Sequence, residues 1–167
     1  MAKWAFASEG FTPVGALDTT NLTNNGYMGL MGGSTTQRID IYEISMAGMA
    51  TVSAPTPMVL GRDSIVQATP TALTTAQSNA PLDLATAALA APQIAFTAAT
   101  TAPQRAATLA KLSLGFNAFG GTSRWQCYPG QEFKILGNAA NGGEASLSAY
   151  SGGTPGLITA HLLYETF

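Results

Sequence analysis

The chain has 167 residues, of which 46% are hydrophobic and only 10% are charged, and its formal net charge is −2. A soluble globular domain carries about 25% charged residues, and low net charge leaves little repulsion between copies. We therefore expect a single domain that works inside an assembly; the alternative is a monomer kept soluble by Thr and Ser hydroxyls.

The same composition argues against several classes of partner. The seven Lys and Arg residues are scattered singly, so no basic stripe is available to neutralise the phosphates of a nucleic acid. No apolar run approaches the ~18 residues of a membrane helix. The apolar run 4–7 is too short for a signal peptide, so synthesis in a cytoplasm is expected. Cys127 is the only cysteine, which excludes an intrachain disulfide.

Residues 1–36 combine frequent chain breakers with large apolar side chains. Gly, Pro and Asn recur every few residues, yet a purely disordered tail is poor in large apolar groups. We expect an extended N-terminal arm that buries these groups against its own domain, a sister subunit or another protein. The candidate partner-binding residues are Trp4, Phe6, Phe11, Tyr27 and Met28.

The first clear strand is predicted for residues 37–46, at the start of a domain spanning 37–167. Apolar side chains occur at both alternating sets of positions, with Tyr42, Ile44 and Met46 expected on one face and Ile39, Ile41 and Glu43 on the other. Both faces of this strand are therefore expected to be covered. Shorter strands can follow near Pro55 and Pro57, which suit a sheet edge or a bulge.

Residues 68–108 are rich in Ala, Thr and Pro and are predicted to be a long loop inserted in that domain. A connection this long is uncommon in a compact domain and is usually functional, or ordered by binding; the low charge favours the first. Pro81 and the Ala-rich residues up to Ala91 predict a short helix that ends before Pro92.

Residues 111–167 carry the strongest strand pattern. Trp125 and Cys127 alternate with polar residues, and Phe133 and Ile135 do so again after a Pro129-Gly130 pair that suits a type II turn. We expect these four side chains to face the core. Short strands separated by Gly and Pro indicate an all-β fold, an antiparallel sandwich or barrel.

Catalytic patterns are absent from the sequence. His161 is the only histidine and is expected to be structural, and Cys127 is expected to be a buried, inert thiol. The glycine-rich stretch 29–33 precedes a strand, whereas a phosphate-binding loop opens a helix. Asp40 and Glu43 are three residues apart and are expected on opposite faces of a strand, where they cannot form an acid–base pair. We expect no enzyme activity, no cofactor and no metal site.

Two consecutive motifs carry a family resemblance. They are R-W-x-C-x-P-G-x-E-F-x-I-L-G-N at 124–138 and G-E-A-S-L-S-A-Y-S-G-G-T-P-G-L-I-T-A-H-L-L-Y-E at 143–165. The chain resembles the small jelly-roll head decoration, or cement, proteins of tailed bacteriophages. The resemblance implies a homotrimer made in the host cytoplasm, bound to the major capsid protein on the virion surface and bracing the shell without catalysis. It leaves open other virion roles, such as a fibre base or a tail component, and carries over no binding residue.

A carbohydrate-binding β-sandwich is the alternative from another class. Such a site is expected to place exposed aromatic rings beside polar partners, and Trp125, Tyr128 and Tyr150 are the candidates. The alternation at 123–128 points Trp125 inward, which favours the structural role.

Overall fold

The computed structural model describes residues 2–66, 69–83 and 93–167. These residues form an all-β structure with twelve strands in two six-stranded antiparallel sheets and no helix. The predicted all-β class is confirmed. The strands are β1 (Ala2–Phe11), β2 (Tyr27–Met31), β3 (Arg38–Gly48), β4 (Pro55–Ile65), β5 (Gln77–Pro81), β6 (Ile94–Phe96), β7 (Gln104–Arg105), β8 (Lys111–Asn117), β9 (Thr122–Gln126), β10 (Phe133–Leu136), β11 (Glu144–Ala149) and β12 (Ile158–Thr166).

The two sheets have matching strand orders. Sheet 1 runs β10-β3-β12-β1-β5, with β9 also paired to β3, and sheet 2 runs β6-β2-β11-β4-β7, with β8 also paired to β4. Eight consecutive pairs of the described strands cross from one sheet to the other: β1–β2, β2–β3, β3–β4, β4–β5, β5–β6, β8–β9, β10–β11 and β11–β12. Antiparallel pairing then places four of these crossings, at 12–26, 49–54, 118–121 and 150–157, at the same end of the molecule. We call it the loop end.

The main core lies between the sheets. Sheet 1 contributes Phe6 and Leu162, and sheet 2 contributes Met28, Leu60 and Leu147, all of them fully buried in one apolar cluster. Burial of each such side chain stabilises the folded state by roughly 1.5–3 kcal/mol. This shared cluster makes the fold sandwich-like.

Strand β3 contains a bulge that changes which side chains face the core. Glu43 pairs with Leu163 of β12 and Ile41 pairs with the next residue, Tyr164, so Tyr42 has no partner there. An extra residue reverses the alternation. The prediction that Ile41 and Ile44 lie on opposite faces is therefore wrong: both are fully buried in the main core. So are Ile39 and Met46.

Residues 1–36 differ from the arm expected for them. Strand β1 lies inside sheet 1, paired with β12 on one side and β5 on the other. Strand β2 lies inside sheet 2, between β11 and β6. The reason is that most of the breakers fall between the two strands, at 12–26, where they form the connection.

Residues 68–108 also contribute strands. Strands β5 and β6 form one edge of the two sheets, and β7 extends the other edge of sheet 2. Pro81, predicted to begin a helix, ends β5, and an edge strand tolerates its missing N–H donor. Leu82 and Asp83 are non-helical, and the rest of the predicted helix, 84–91, lies outside the described residues.

The predictions for residues 111–167 agree with the structure except at Cys127. This residue follows the end of β9, is half-buried, and lines a surface groove instead of facing the core. Phe133 and Ile135 are buried, and Trp125 is half-buried against the main core. At the predicted turn, Gly130 has φ of 90° and the Gln131 N–H donates to the Tyr128 carbonyl at 3.0 Å. These features are those of a type II turn.

Candidate partner-binding site

The five residues predicted to bind a partner lie mainly inside the subunit. Phe6 and Met28 are fully buried in the main core, and Tyr27 is buried in a smaller cluster on the outer face of sheet 2. Trp4 and Phe11 are half-buried against the main core. Their own domain, which was one of the alternatives, covers these side chains and leaves little of them for another protein.

The loop end presents large apolar side chains to solvent instead. Val52 is 71% exposed, Phe119 59%, Met49 49% and Leu157 39%. We call these four residues the apolar end surface. An isolated exposed apolar residue is ordinary, but several in one place mark an interaction site.

Backbone hydrogen bonds join the loops that carry the apolar end surface. The Met49 N–H donates to the Leu157 carbonyl at 2.8 Å, and the Ala50 N–H donates to the carbonyl of Ala118, the neighbour of Phe119, at 2.9 Å. Met49, Val52 and Leu157 also line one shallow groove of about 310 Å³. The three loops therefore form one continuous surface.

The apolar end surface is also free of formal charge. The loops 49–54, 118–121 and 150–157 contain no Asp, Glu, Lys, Arg or His. Burying an unpaired charge at an interface is costly, and the centres of interfaces are depleted of charged residues. A partner can therefore cover these loops without removing water from any charged side chain of the loops.

The outer face of sheet 1 has the opposite character. Arg124 donates two hydrogen bonds of 2.9 Å to Glu43, and these bonds lower the pKa of that carboxyl. Lys134 contacts both Asp40 and Glu132, and the backbone N–H of Gly130 is the main cause that lowers the pKa of Glu132 to about 2. This face is a network of ion pairs.

A groove of about 360 Å³ lies on the same face. Its lining includes Lys3, Asp40, Tyr42, Cys127 and Glu165. The ion pair between Lys3 and Glu165, at 3.4 Å, crosses this region, so carboxylate and ammonium groups of the chain neutralise one another there. The other two carboxyl groups of the lining, Asp40 and Glu132, are paired with Arg38 and Lys134.

His161 and Cys127 form no catalytic arrangement. His161 Nε2 lies 3.8 Å from a Glu43 oxygen that already accepts a hydrogen bond from Arg124. Burial raises the pKa of the Cys127 thiol, which disfavours the reactive thiolate. Among the described residues, no group of three or more His, Cys, Asp or Glu side chains could hold a metal ion.

The outer face of sheet 2 is covered by two segments, 12–26 and 97–103, which we call the cover. Leu22 donates its N–H to the Pro103 carbonyl at 2.8 Å, and Ala16 donates to the Ala149 carbonyl at 3.2 Å. Arg105, 1% exposed, lies over Gly61 and donates to Ser148 Oγ at 3.1 Å and to the Ala16 carbonyl. The cover therefore has its own polar anchors.

Two carboxyl groups lie beneath the cover. Asp63 and Glu144 are fully buried on the paired strands β4 and β11, next to the pair Arg62–Ala145. The two carboxyls stand opposite each other across the strand pair, and Ser146 Oγ donates to Asp63 Oδ1 at 2.8 Å. Burial raises the pKa of Asp63 to about 7.

The three aromatic residues considered for carbohydrate binding do not form a platform. Trp125 belongs to sheet 1 and packs against the main core. Tyr150 follows β11 of sheet 2, where its ring lies beside the Arg105 guanidinium. Tyr128, 78% exposed, lies at the turn after β9.

Sequence reasoning missed the apolar end surface and the carboxyl pair. Met49, Val52, Phe119 and Leu157 are single apolar residues in separate turns, so the only sequence signal was the lack of charge in three loops. Asp63 and Glu144 stand 81 positions apart, and no local pattern links them.

Comparison with known proteins adds no family. No protein-family model matches the chain, and no curated protein shows significant sequence similarity to it. No helix long and apolar enough to cross a membrane occurs in the part of the chain that the structure describes.

Proposed function

We propose that the chain is a non-enzymatic structural protein of a bacteriophage virion. In this proposal it is a capsid decoration, or cement, protein that binds the major capsid protein as a homotrimer and stabilises the shell. The observation that carries the proposal is the apolar end surface, where Met49, Val52, Phe119 and Leu157 stand on three joined, uncharged loops.

The chemistry of this surface selects the kind of partner. An ionic partner would lose hydration without gaining a counter-charge from these loops. A partner that is apolar and uncharged at the contact loses little and gains the burial of four large side chains. The proposed occupant is therefore an uncharged, apolar patch on the outer surface of the major capsid protein.

The distribution of charge supports this orientation. The ion pairs of sheet 1, such as Arg124–Glu43, keep that face hydrated. The uncharged loop end loses less hydration when a partner covers it. A protein that attaches by one end and leaves its charged face in solvent can coat a particle without joining particles together.

The finer architecture in this proposal is a jelly roll with an added strand pair. A jelly roll consists of eight strands, and a Greek-key path returns the chain beside its starting strand. The pairs β3–β4 and β11–β12, which lie side by side in both sheets, would be its first and last pairs. The pair β1–β2 would be the added pair, and the short strands β7 and β10 would extend the sheet edges, which accounts for all twelve strands.

Capsid binding by charged variants tests the proposal. Val52→Glu and Phe119→Asp each place a charge on the apolar end surface, and Leu136→Glu places one at a residue that is also exposed but lies at the far end of β3. In co-sedimentation with heads built from the major capsid protein, the two end variants should bind at least about 100-fold more weakly. Leu136→Glu should bind like the wild type.

The same experiment separates the competing roles. Normal binding by both end variants, with their fold and mass unchanged, would overturn the assignment of this surface. Binding of the wild type to purified tails but not to heads would favour a tail or fibre-base component. A mass in solution of three times 17.1 kDa, measured by light scattering, is expected for the trimer, and a monomer at micromolar concentration would contradict it.

A further inference from the structure

The pair Asp63–Glu144 carries an inference that does not depend on the proposed function. Two carboxylates without a proton have no hydrogen-bond donor between them. These two carboxyl groups stand opposite each other on β4 and β11 and are fully buried. Two negative charges this close repel strongly, so the pair shares one proton in the folded protein. We infer that the Asp63–Glu144 pair is a proton-dependent latch that holds the cover closed over sheet 2.

The charges around the pair balance when one proton is present. Among the described residues, the ionisable groups near it are Tyr27 on β2 and Arg105 on β7. Beyond Arg105 lie Tyr150 and Asp18, and Lys111 contacts Asp18 at 2.7 Å. Burial and the two neighbouring carboxyls raise the pKa of Tyr27, so its phenol stays neutral. The cations Arg105 and Lys111 then offset Asp18 and one charge on the pair.

Arg62 does not alter this balance. It follows Gly61 and precedes Asp63 on β4, so its side chain leaves the strand on the opposite face, where the guanidinium lies 4.1 Å from the centre of the Phe133 ring. In the described part of the chain, a second negative charge on the pair therefore has no further cation beneath the cover.

Loss of the shared proton acts on the cover rather than on the sheet. The strands that carry Asp63 and Glu144 are held by a continuous backbone ladder. The segment 12–26 is held by a few contacts, among them the Ala16 and Leu22 hydrogen bonds and the guanidinium of Arg105. Water must reach the second charge, and a second charge also attracts Arg105 away from the Ala16 carbonyl. Opening of the cover lets water reach the pair and lets the Arg105 guanidinium leave the Ala16 carbonyl.

The direction of the pH effect follows from proton linkage. The pKa of Asp63 is raised in the folded state, so the closed cover binds the proton more tightly than the open cover does. The stability of the closed cover is highest in acid and is lost as the pH rises from the ordinary Asp value to about 7. Each pH unit in this window changes the opening equilibrium by up to about tenfold.

Hydrogen exchange tests the latch. The ratio of the exchange rates of the Ala16 and Leu22 amides to those of β12 cancels the intrinsic effect of pH. In the wild type this ratio should rise at least about tenfold from about pH 5 to about pH 8. Glu144→Gln and Asp63→Asn each replace the shared proton with a permanent amide donor, so the ratio should no longer rise with pH. Glu9→Gln, at an exposed position, should leave the rise unchanged.

Two results would overturn the latch. One is a ratio in the wild type that does not change with pH, and the other is a rise that persists in both pair variants. If neither variant folds, carbon-13 titration of the wild-type carboxyls decides: one proton retained on the pair up to about pH 7 supports the latch, and two carboxylates already ionised at about pH 5 refute it.

Discussion

The ring of Phe96 lies directly over the backbone of Gly29. A Cβ atom at position 29 would stand 2.3 Å from two carbon atoms of that ring. Phe96 is fully buried in the small cluster beneath the cover, where the Tyr27 ring meets it edge-on at 6.0 Å. The glycine in β2 therefore makes room for a second core outside sheet 2.

Gly29→Ala should destabilise the protein because the Phe96 ring cannot move without disturbing Tyr27. The expected loss is about 1–3 kcal/mol, typical of overpacking, measured by urea denaturation. Gly115→Ala is the matched control, since it also lies in a strand but has nothing within 4 Å of the added Cβ. Equal free energies of unfolding for the two variants would show that the Phe96 ring can move aside for a Cβ atom at position 29.

Phe133→Ala should lower the free energy of unfolding by about 3–5 kcal/mol. The ring is 7% exposed in the main core, and the Arg62 guanidinium covers it, so truncation leaves a cavity and removes a cation–π contact. Phe119→Ala, at an exposed loop position, should change the same quantity by less than about 0.5 kcal/mol. A loss below about 1 kcal/mol at Phe133 would mean that the site collapses around the missing ring.

The second half of the fold was predictable because its strands are short and regularly alternating. Trp125 and Phe133 each stand between polar neighbours, and Lys134 separates Phe133 from Ile135, so a period of two was visible without knowledge of the partner strands. The bulge at Tyr42 was not, because a bulge exists only relative to the register of β12. Sequence alone therefore predicted β3 but assigned its faces incorrectly.

The first strand was missed for a different reason. Gly10 and the breakers of 12–26 suggested an irregular arm, whereas the pairing of β1 with both β12 and β5 is long-range. The buried Asp63 and Glu144 were missed because carboxyl groups are rarely fully buried. Only the fold shows that they meet.

Arg124→Ala should reduce stability near neutral pH only slightly, because Arg124 is mostly exposed, although its partner Glu43 is largely buried. The hydrogen bonds from Arg124 lower the folded-state pKa of Glu43. Their contribution is therefore present above the ordinary Glu pKa and is lost as the pH falls through the lowered value. Wild type and variant should converge in acid denaturation curves.

Lys3→Ala is the control for that comparison. It removes an ion pair from the same face, but with one contact of 3.4 Å from a mostly exposed amine, so the change near neutral pH should stay below about 0.5 kcal/mol. A constant difference between wild type and Arg124→Ala at every pH would contradict the linkage to Glu43.

Joint replacement of His161 and Cys127 should leave attachment to capsids unchanged. His161 lies near a Glu43 oxygen that already accepts a hydrogen bond from Arg124. Burial raises the pKa of the Cys127 thiol, so the reactive thiolate form is disfavoured. The measurement is head binding by His161→Gln/Cys127→Ser, with circular dichroism as the check on folding. A folded double variant that no longer binds would reopen a chemical role for these groups.

Deletion of residues 1–10 should unfold the sandwich rather than only detach the protein from its partner. The deletion removes nearly all of β1, which lies between β12 and β5, together with the fully buried Phe6. Loss of this strand exposes the edges of two others and empties part of the core, and the Phe6 ring alone accounts for about 3–5 kcal/mol. Since total stability is about 5–15 kcal/mol, the truncated chain should show no cooperative thermal transition. Lys3→Ala within the same strand should fold normally, because its side chain is exposed. A truncated chain with a cooperative transition and a native β-sheet spectrum would show that β1 is a dispensable arm after all.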